Sequence, residues 1–318
     1  MLLLSNKDVY AACLPEDIIG SVEEAFRHME SGDYLMPDRL HLNVGDNTLL
    51  VMPSAADGLF CTKLVTVNPL NAKKNKPIIN GTVQLTDQET GSVLSFLDGG
   101  AVTAIRTGAV GAVAAKYLHP KNHASVGLIG TGVQGLHLLW MISTVKTVDT
   151  FYLFNYKSRQ TEVFINQLQK KIPLANLVVV ERKEELIKNS DIIVTATTSS
   201  SPVLPDIPDL LEDKLYVCMG SYRSDMGELP RKIYSMIDKM YVDIHYAMKE
   251  SGDVSWALKN RVLSESDIVL LSKLVTGAHR PIDRTRVFKS VGMALFDLTV
   301  SKKIFRAAMK KKIGKELN

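Results

Sequence analysis

An α/β fold in two parts is what this sequence predicts: a Rossmann-type, doubly wound parallel sheet, joined to a second α+β part built round an antiparallel sheet. Three observations carry the expectation. From residue 124 onward, apolar runs of strand length alternate with helical runs, which is the pattern of βαβ units. Residues 125–135 read Ser-Val-Gly-Leu-Ile-Gly-Thr-Gly-Val-Gln-Gly, a short apolar strand entering Gly130-x-Gly132-x-x-Gly135. Residues 36–97 instead hold short alternating runs cut by turn sequences, the mark of half-buried antiparallel strands.

Taken in order, Ser5 or Asn6 can cap a short first turn. Pro15 and Glu16 then open a longer amphipathic helix through Val22, Ala25, Phe26 and Met29, which Ser31-Gly32 closes. Strands are predicted at 40–44, 48–52, 60–67, 82–86 and 93–97, separated by Gly45-Asp46-Asn47, Ala56-Asp57-Gly58 and Glu89-Thr90-Gly91. An Ala/Gly-rich helix over 99–118 follows, small enough in its side chains to pack closely.

In the second part the fingerprint leads into a helix at 136–143 and a strand at 150–154. Further helices are predicted at 158–171 and 182–188, with strands at 176–180, 191–196, 215–219 and 240–243. Beyond Pro281, the segment 284–300 and a terminal helix at 301–316 have no strand to follow, so this tail is expected to return to the first part. The domain boundaries that result are 1–118 with 296–318, and 119–295.

With 318 residues the chain is long enough for two cores. An apolar content of 46% and a charged content of 23% are ordinary for a globular protein. The net charge of +4 suits anionic small molecules, but the lysines are dispersed, so nucleic acid is not indicated. The cluster Lys310, Lys311, Lys312 and Lys315 reads as the wet end of a last helix. Cys13, Cys61 and Cys218 are far apart and form no paired framework, which fits a reducing cytoplasm. The sequence offers no basic, apolar leader and no uninterrupted apolar run of about 18 residues, so neither secretion nor a membrane span is expected. His41, His119, His123, His245 and His279 lack any metal-ligand spacing, and no metal is expected.

The glycine pattern carries chemistry. Gly130 permits the tight turn, Gly132 lets the backbone approach a pyrophosphate, and Gly135 lets the next helix pack on its strand. Thr131, Val133 and Gln134 line the same turn, and the pyrophosphate would sit on the free amides of the helix N-terminus. An NAD site expects Asp or Glu about 20 residues further on, to bind the ribose 2′-hydroxyl. This chain offers Asn155, Tyr156, Lys157, Ser158 and Arg159 instead. A carboxylate there would repel a 2′-phosphate, whereas these amide, hydroxyl and cationic groups can hold one. NADP(H) is therefore preferred, with NAD(H) as the alternative. Thr197, just past the strand at 191–196, is a further candidate at the cofactor.

Three cations stand out in the first part. Arg39 follows Met36-Pro37-Asp38, Lys63 lies inside the apolar strand Cys61-Thr62-Lys63-Leu64-Val65, and Arg106 lies inside the Ala/Gly-rich helix. Burying an unpaired charge is costly, so each needs a partner: a nearby Asp, solvent reached by snorkelling, or an anionic substrate. A forked guanidinium suits a carboxylate in particular.

These residues sit in segments that resemble one known family. Pro37-x-Arg39-x-His41-Leu42, Lys63-Leu64-Val65-Thr66-Val67-Asn68-Pro69, Leu97-Asp98, Thr103-Ala104-Ile105-Arg106-Thr107 and Gly130-Thr131-Gly132-Val133-Gln134 look like the ornithine cyclodeaminase/mu-crystallin family. So do Gly220-Ser221-Tyr222 with Glu228-Leu229, and Lys289-Ser290-Val291-Gly292-Met293-Ala294. The matches run in order over nearly the whole chain. The resemblance implies a homodimer formed through the first domain, which also binds substrate, beside an NAD(P)-binding domain. It implies that Arg39, Lys63 and Arg106 hold a substrate carboxylate, that Arg106 and Thr107 approach the cofactor, and that Gly220 and Gly292 border the nicotinamide.

One departure separates members of that family. Those that eliminate ammonia from ornithine carry Asp in the loop where this chain, aligned back from Glu228-Leu229, has Tyr222. Tyrosine cannot replace a carboxylate base near neutral pH. The loop instead resembles that of mu-crystallin and the imine reductases. The resulting expectation is an NAD(P)H-dependent reductase of cyclic ketimine carboxylates, with Lys63 and Tyr222 as its catalytic residues. An ornithine cyclodeaminase-type lyase, an alanine-type amino-acid dehydrogenase and a non-enzymatic NADPH-binding protein are the alternatives. Asp297 falls on a helix near the expected nicotinamide and reads either as a site carboxylate or as a packing carboxylate paired with a neighbour.

Overall fold

A computed structural model describes the chain apart from residues 75, 155–157, 282–283 and 318, and apart from the side chains of 72–73 and 158–160. The chain forms two compact units, Met1–Arg106 with Met293–Asn318, and Thr107–Gly292. The division thus falls inside the long helix at Arg106/Thr107 and slightly before residue 296 on the return.

The first unit begins with β1 (Leu2–Leu4), α1 (Asn6–Ala12) and α2 (Pro15–Ser31). Ser5 and Asp8 form a capping box on α1, with each side chain bonding the other's backbone N–H. Pro15 opens α2, where its missing N–H costs nothing, and Gly32 ends it at a φ of 78°. The antiparallel meander follows as β2 (Leu40–Val44), β3 (Asn47–Ala56), β4 (Leu59–Val67), β5 (Ile79–Asp87) and β6 (Val93–Asp98). Then comes α3 (Gly99–Leu118), whose residues to Arg106 belong to this unit.

The second unit continues from α3 through β7 (His123–Ile129), α4 (Val133–Val145), β8 (Thr147–Phe154), α5 (Ser158–Lys171), β9 (Leu177–Val179), α6 (Lys183–Lys188) and β10 (Ile192–Thr195). It goes on with α7 (Pro208–Leu211), β11 (Leu215–Cys218), β12 (Met240–Val242), α8 (Ala247–Glu250), α9 (Gly252–Lys259), β13 (Ile268–Leu270), α10 (Leu271–Val275) and β14 (Arg286–Lys289). The chain then re-enters the first unit as α11 (Ala294–Lys311) and β15 (Lys315–Glu316).

In the first unit the sheet order is β15-β1-β6-β5-β4-β3-β2. The sheet is mixed, because β1 runs parallel to β6 and antiparallel to β15, while β2 to β6 are antiparallel throughout. Helix α11 lies against α2, β3 and β4. Phe26 and Phe296 meet edge to face there, with ring centroids 5.1 Å apart.

In the second unit all eight strands are parallel, in the order β13-β12-β14-β11-β10-β7-β8-β9. The order reverses between β7 and β10, which is the switch point where such sheets bind ligands beyond the carboxyl ends of their strands. Two glycines make this point possible. Gly130 has a φ of 107°, and a Cβ there would lie 2.6 Å from the Ala196 carbonyl oxygen. A Cβ on Gly135 would lie 2.3 Å from the Gly130 carbonyl oxygen, so α4 rests directly on the turn that precedes it.

The sequence missed β13 and β14, and beyond residue 281 it expected no strand at all. Strand β14 in fact sits between β11 and β12 in the body of the sheet. Its apolar run is only Val287-Phe288, flanked by Arg286 and Lys289. A parallel strand covered on both faces shows no alternation, and so short a run carries little signal. The tail also forms one helix, α11, and not two segments meeting at residue 300. Among the described residues no helix is long and apolar enough to cross a membrane.

Candidate active site

In the first unit the burial of β4 alternates, and Lys63 falls on the inward face beside Cys61 and Val65. Its ammonium donates to Asp297 Oδ2 at 2.6 Å. Asp297 lies in the first turn of α11, where the helix dipole favours a negative charge. Its other oxygen, Oδ1, is 3.5 Å from Arg106 Nε on α3, beyond good hydrogen-bond geometry. Lys63, Arg106 and Asp297 are all buried, at 1%, 8% and 0% exposure.

Burial brings the Lys63 amine down to about 8 from its ordinary 10.5, although the Asp297 charge and hydrogen bond oppose the shift. The charges of Arg106 and Arg39 lower it further. The structure therefore brings Lys63 and Arg106 together round one carboxylate and sets Arg39 near enough for Lys63 to feel its charge. Two buried cations share one anion, and Arg106 Nε has no hydrogen-bond acceptor among the described residues. A second anion would complete the group.

In the second unit the N-terminus of α4 is built to receive a ligand. Gly132 is its N-cap and supplies no side-chain cap, and apart from its own local backbone no atom of the described residues lies within 4 Å of where its Cβ would be. Exposed backbone amides at such an end attract a phosphate. Thr131 is half-buried there, Val133 is exposed, and Gln134 holds a buried Oε1 with no donor among the described residues. Thr107 is buried on α3. Gly108, one residue on, packs so tightly against α4 that its Cβ would lie 2.5 Å from the His137 carbonyl oxygen.

The loops beyond the strands are held by acidic groups. Thr197 gives Glu228 Oε1 both its backbone N–H and its hydroxyl, at 2.8 and 2.9 Å. Gly220 gives Glu228 Oε2 its N–H, at 2.8 Å. Gly292 has a φ of 80° and donates its N–H to buried Asp243 at 2.6 Å. Ser290 Oγ and the Val291 N–H bond the same carboxylate.

Tyr222 follows β11 and is half-buried, packed against the hydrophobic core of the second unit. Burial raises its phenol above the ordinary value of 10, so it stays protonated near neutral pH and can give a proton or a hydrogen bond but does not act as a phenolate base. The two carboxylates nearby are engaged elsewhere: Asp225 with Arg223 at 2.6 Å, and Glu228 as above. Residues 155–157, which include Asn155 and Lys157, lie outside the described residues, as do the side chains of Ser158 and Arg159.

The sequence did not single out Asp243 or Asp253, and it gave Glu228 no role. Asp243 directly follows the strand Met240–Val242, and a carboxylate at the carboxyl end of a buried parallel strand is a signal that could have found it. Elsewhere in the first unit Glu24, His28 and Asp57 place one ligand atom each within 4.8 Å of one another. The Lys302 ammonium already occupies that group, 2.7 Å from Glu24 Oε1 and bonded to Asp57.

Sequence and fold comparisons agree on what kind of protein carries these features. The model of the ornithine cyclodeaminase/mu-crystallin family matches residues 1–312. The chain belongs to that family. It is 32% identical to a Delta(1)-pyrroline-2-carboxylate reductase of Bacillus cereus, over 100% of this chain and 99% of that protein. The Thermococcus litoralis Delta(1)-pyrroline-2-carboxylate reductase, solved with NADH and L-proline, superposes with a TM-score of 0.93 at 30% identity, covering 100% of both chains. An archaeal alanine dehydrogenase dimer with bound NAD gives 0.91 at 26% identity, covering 100% of this chain and 99% of that one.

Removing the shared carboxylate tests the first-unit group. Asp297→Asn leaves two buried cations without a counter-charge, and breaking such a pair costs about 3–5 kcal/mol. Urea unfolding is expected to show a loss of that size. A loss below about 1 kcal/mol, the ordinary worth of an exposed ion pair, would mean that these charges are solvated.

Proposed function

We propose that the protein is an NAD(P)H-dependent reductase of cyclic ketimine carboxylates, converting Δ1-pyrroline-2-carboxylate or Δ1-piperideine-2-carboxylate to L-proline or L-pipecolate. The observation that carries this reading is the buried excess of positive charge at Lys63 and Arg106 round the single carboxylate of Asp297. The full-length similarity to two pyrroline-2-carboxylate reductases supports it.

In this reading Arg39, Lys63 and Arg106 orient the substrate carboxylate, and the unsatisfied Arg106 Nε takes one of its oxygens. The coenzyme supplies the hydride, which adds to the imine carbon while a proton ends on the ring nitrogen. Most of the catalysis is then positioning and charge placement. Lys63, with its amine near 8, holds a proton that it can share at neutral pH. Asp297 keeps that ammonium charged and fixed in direction. Tyr222, protonated, is the second candidate donor.

The residues beyond the strand ends of the second unit fit a nicotinamide dinucleotide. Gly130, Thr131, Gly132, Val133 and Gln134 would hold the pyrophosphate, with Thr107 nearby. Thr197, Gly220 and Gly292 would border the nicotinamide. Asn155, Lys157, Ser158 and Arg159 would receive a 2′-phosphate, favouring NADPH over NADH.

The homodimer is also part of the proposal, as in the archaeal alanine dehydrogenase dimer. The first-unit sheet exposes an apolar row in which Leu40 pairs with Val51 and Val51 with Leu64, so all three share one face. Leu40 and Leu64 are 60% and 43% exposed, and Phe60, four residues from Leu64 on the same strand, is 44% exposed. A second copy would cover this face. The three cysteines are free thiols, which suits the cytoplasm.

NADPH oxidation with pyrroline-2-carboxylate or piperideine-2-carboxylate is the primary assay, with ornithine and with pyruvate plus ammonia as the contrasting substrates. No turnover on either ketimine by protein that binds the coenzyme would refute the reading. Lys63→Ala is expected to lower turnover by about 10²–10⁴-fold with coenzyme affinity unchanged. The Lys63 amine is protonated below about 8, so reduction should decline as pH rises through that value. Lys63→Arg, which keeps the charge but cannot give up its proton in this range, should remove that limb if Lys63 serves only by its charge, and should be as slow as Lys63→Ala if Lys63 gives the proton.

Coenzyme choice is read from the dissociation constants of NADPH and NADH in the parent and in the doubly changed Lys157→Ala, Arg159→Ala protein. The parent should favour NADPH and the double variant should lose that preference; a parent that favours NADH defeats the phosphate argument. For the dimer, light scattering should give twice the chain mass for the parent and one chain mass for Leu64→Lys. A monomeric parent would end that proposal.

A further inference from the structure

Glu228 is fully buried, on the segment that leads from the β11 loop back into the second unit. Its two oxygens serve two different loops. Oε1 takes both donors of Thr197, just past β10, and Oε2 takes the N–H of Gly220, just past β11. Strands β10 and β11 are neighbours, with Thr195 opposite Cys218, so the carboxylate bridges the carboxyl ends of two adjacent parallel strands.

The surroundings show that the bridge is specific. A Cβ on Gly220 would come within 2.1 Å of the Thr197 carbonyl oxygen and 2.3 Å of Glu228 Oε1, so only glycine leaves room for the carboxylate. Lys289, at the end of β14, sets its ammonium 3.5 Å from Glu228 Oε2 and 3.7 Å from Asp253 Oδ2. Asp253 receives the backbone N–H groups of Glu228 and Leu229, which fixes the segment that carries the bridge. Glu228, Asp253 and Lys289 are all buried. A buried charge so fully bonded is costly to replace, because each donor would lose its acceptor.

The place of the bridge gives it a function. It ties the loop after β10, the strand beside the β7/β10 reversal, to the loop after β11. Ligands of doubly wound sheets bind beyond these strand ends. We infer that Glu228 is a positioning residue for the nicotinamide half of the coenzyme, holding the Thr197 and Gly220 backbones in the shape against which that half rests. Glu228 does not itself touch the coenzyme. The inference rests on the dinucleotide reading given above. It separates the two ends of the ligand, because among the described residues the pyrophosphate turn at Gly130–Gly135 makes no hydrogen bond to this carboxylate, whose donors are Thr197, Gly220 and Lys289.

Calorimetric titration with two probes tests it: the reduced coenzyme that the parent binds, and the matching fragment without nicotinamide, ADP-ribose or its 2′-phosphate. Glu228→Gln keeps the side-chain shape but turns an amide NH2 towards the donors of Thr197 or of Gly220. An orphaned buried donor costs about 1–3 kcal/mol, which the free variant relieves by turning the Thr197 or Gly220 loop away; binding must reverse that movement, so the variant should bind the coenzyme up to about 5- to 150-fold more weakly while its affinity for the fragment stays within about twofold. Glu228→Asp retains the charge but is too short to serve both loops, and it carries the same comparison should Glu228→Gln fail to fold. Equal weakening of both probes would assign Glu228 a general structural role, and no weakening of either would give it none; both results overturn the inference. A parent that binds neither probe overturns the dinucleotide reading itself, and the inference falls with it.

Discussion

The carboxylate of Asp297 is the point on which the first unit turns. The chain leaves this unit at Arg106, forms the whole parallel sheet, and returns at Met293. The first charged residue after its return meets Lys63, 234 positions earlier, in a buried contact. Without that contact the inward lysine of β4 would be a buried charge with no counter-ion. With it, α11 has a fixed register against the meander, and Arg106 on α3 is drawn to the same group. In the proposed function, stability and chemistry share one set of atoms here. The pair that locates the returning helix also leaves a surplus of positive charge, and a small carboxylate ligand is the natural complement to that surplus.

The second unit handles charge in the opposite way. Asp243 accepts its bonds from Ser290, Val291 and Gly292, and Glu228 accepts its own from Thr197 and Gly220. Both are consumed in shaping backbone at strand ends, and neither is left over to act on a substrate. Among the described residues, the carboxylates of Asp225 and Glu228 close to Tyr222 are thus already engaged, with Arg223 and with the Thr197 and Gly220 donors. This division agrees with a reaction in which hydride and proton are added to the substrate, not one that begins by stripping a proton from it.

Local signals were the most legible. Ser5 with Asp8, Pro15 and Gly32 set the bounds of the first two helices through caps and backbone angles that need only their neighbours. The apolar run of β4 already marked Lys63 as a cation in need of a partner, and the glycine fingerprint located the turn after β7. What the sequence could not show was contact across distance. Asp297 stood between two readings; the structure shows its pairing with Lys63 and Arg106, 234 and 191 positions away, and a part in the chemistry belongs to the proposal. Strand β14 was lost because two apolar residues between charges look like a loop until β11 and β12 are in place on either side of them. The parallel pairing of β1 with β6 was hidden for the same reason. The bridge at Glu228 was invisible because its meaning lies in two loops that converge only once the sheet has formed.

Lys302 has a consequence of its own. Glu24, His28 and Asp57 converge as the donors of a metal centre do, yet the positive charge among them is an ammonium on α11. That cation is carried by the polypeptide itself and arrives with every newly made chain. The join between α11, α2 and the β3–β4 turn thus gains a positive charge as soon as the helix docks.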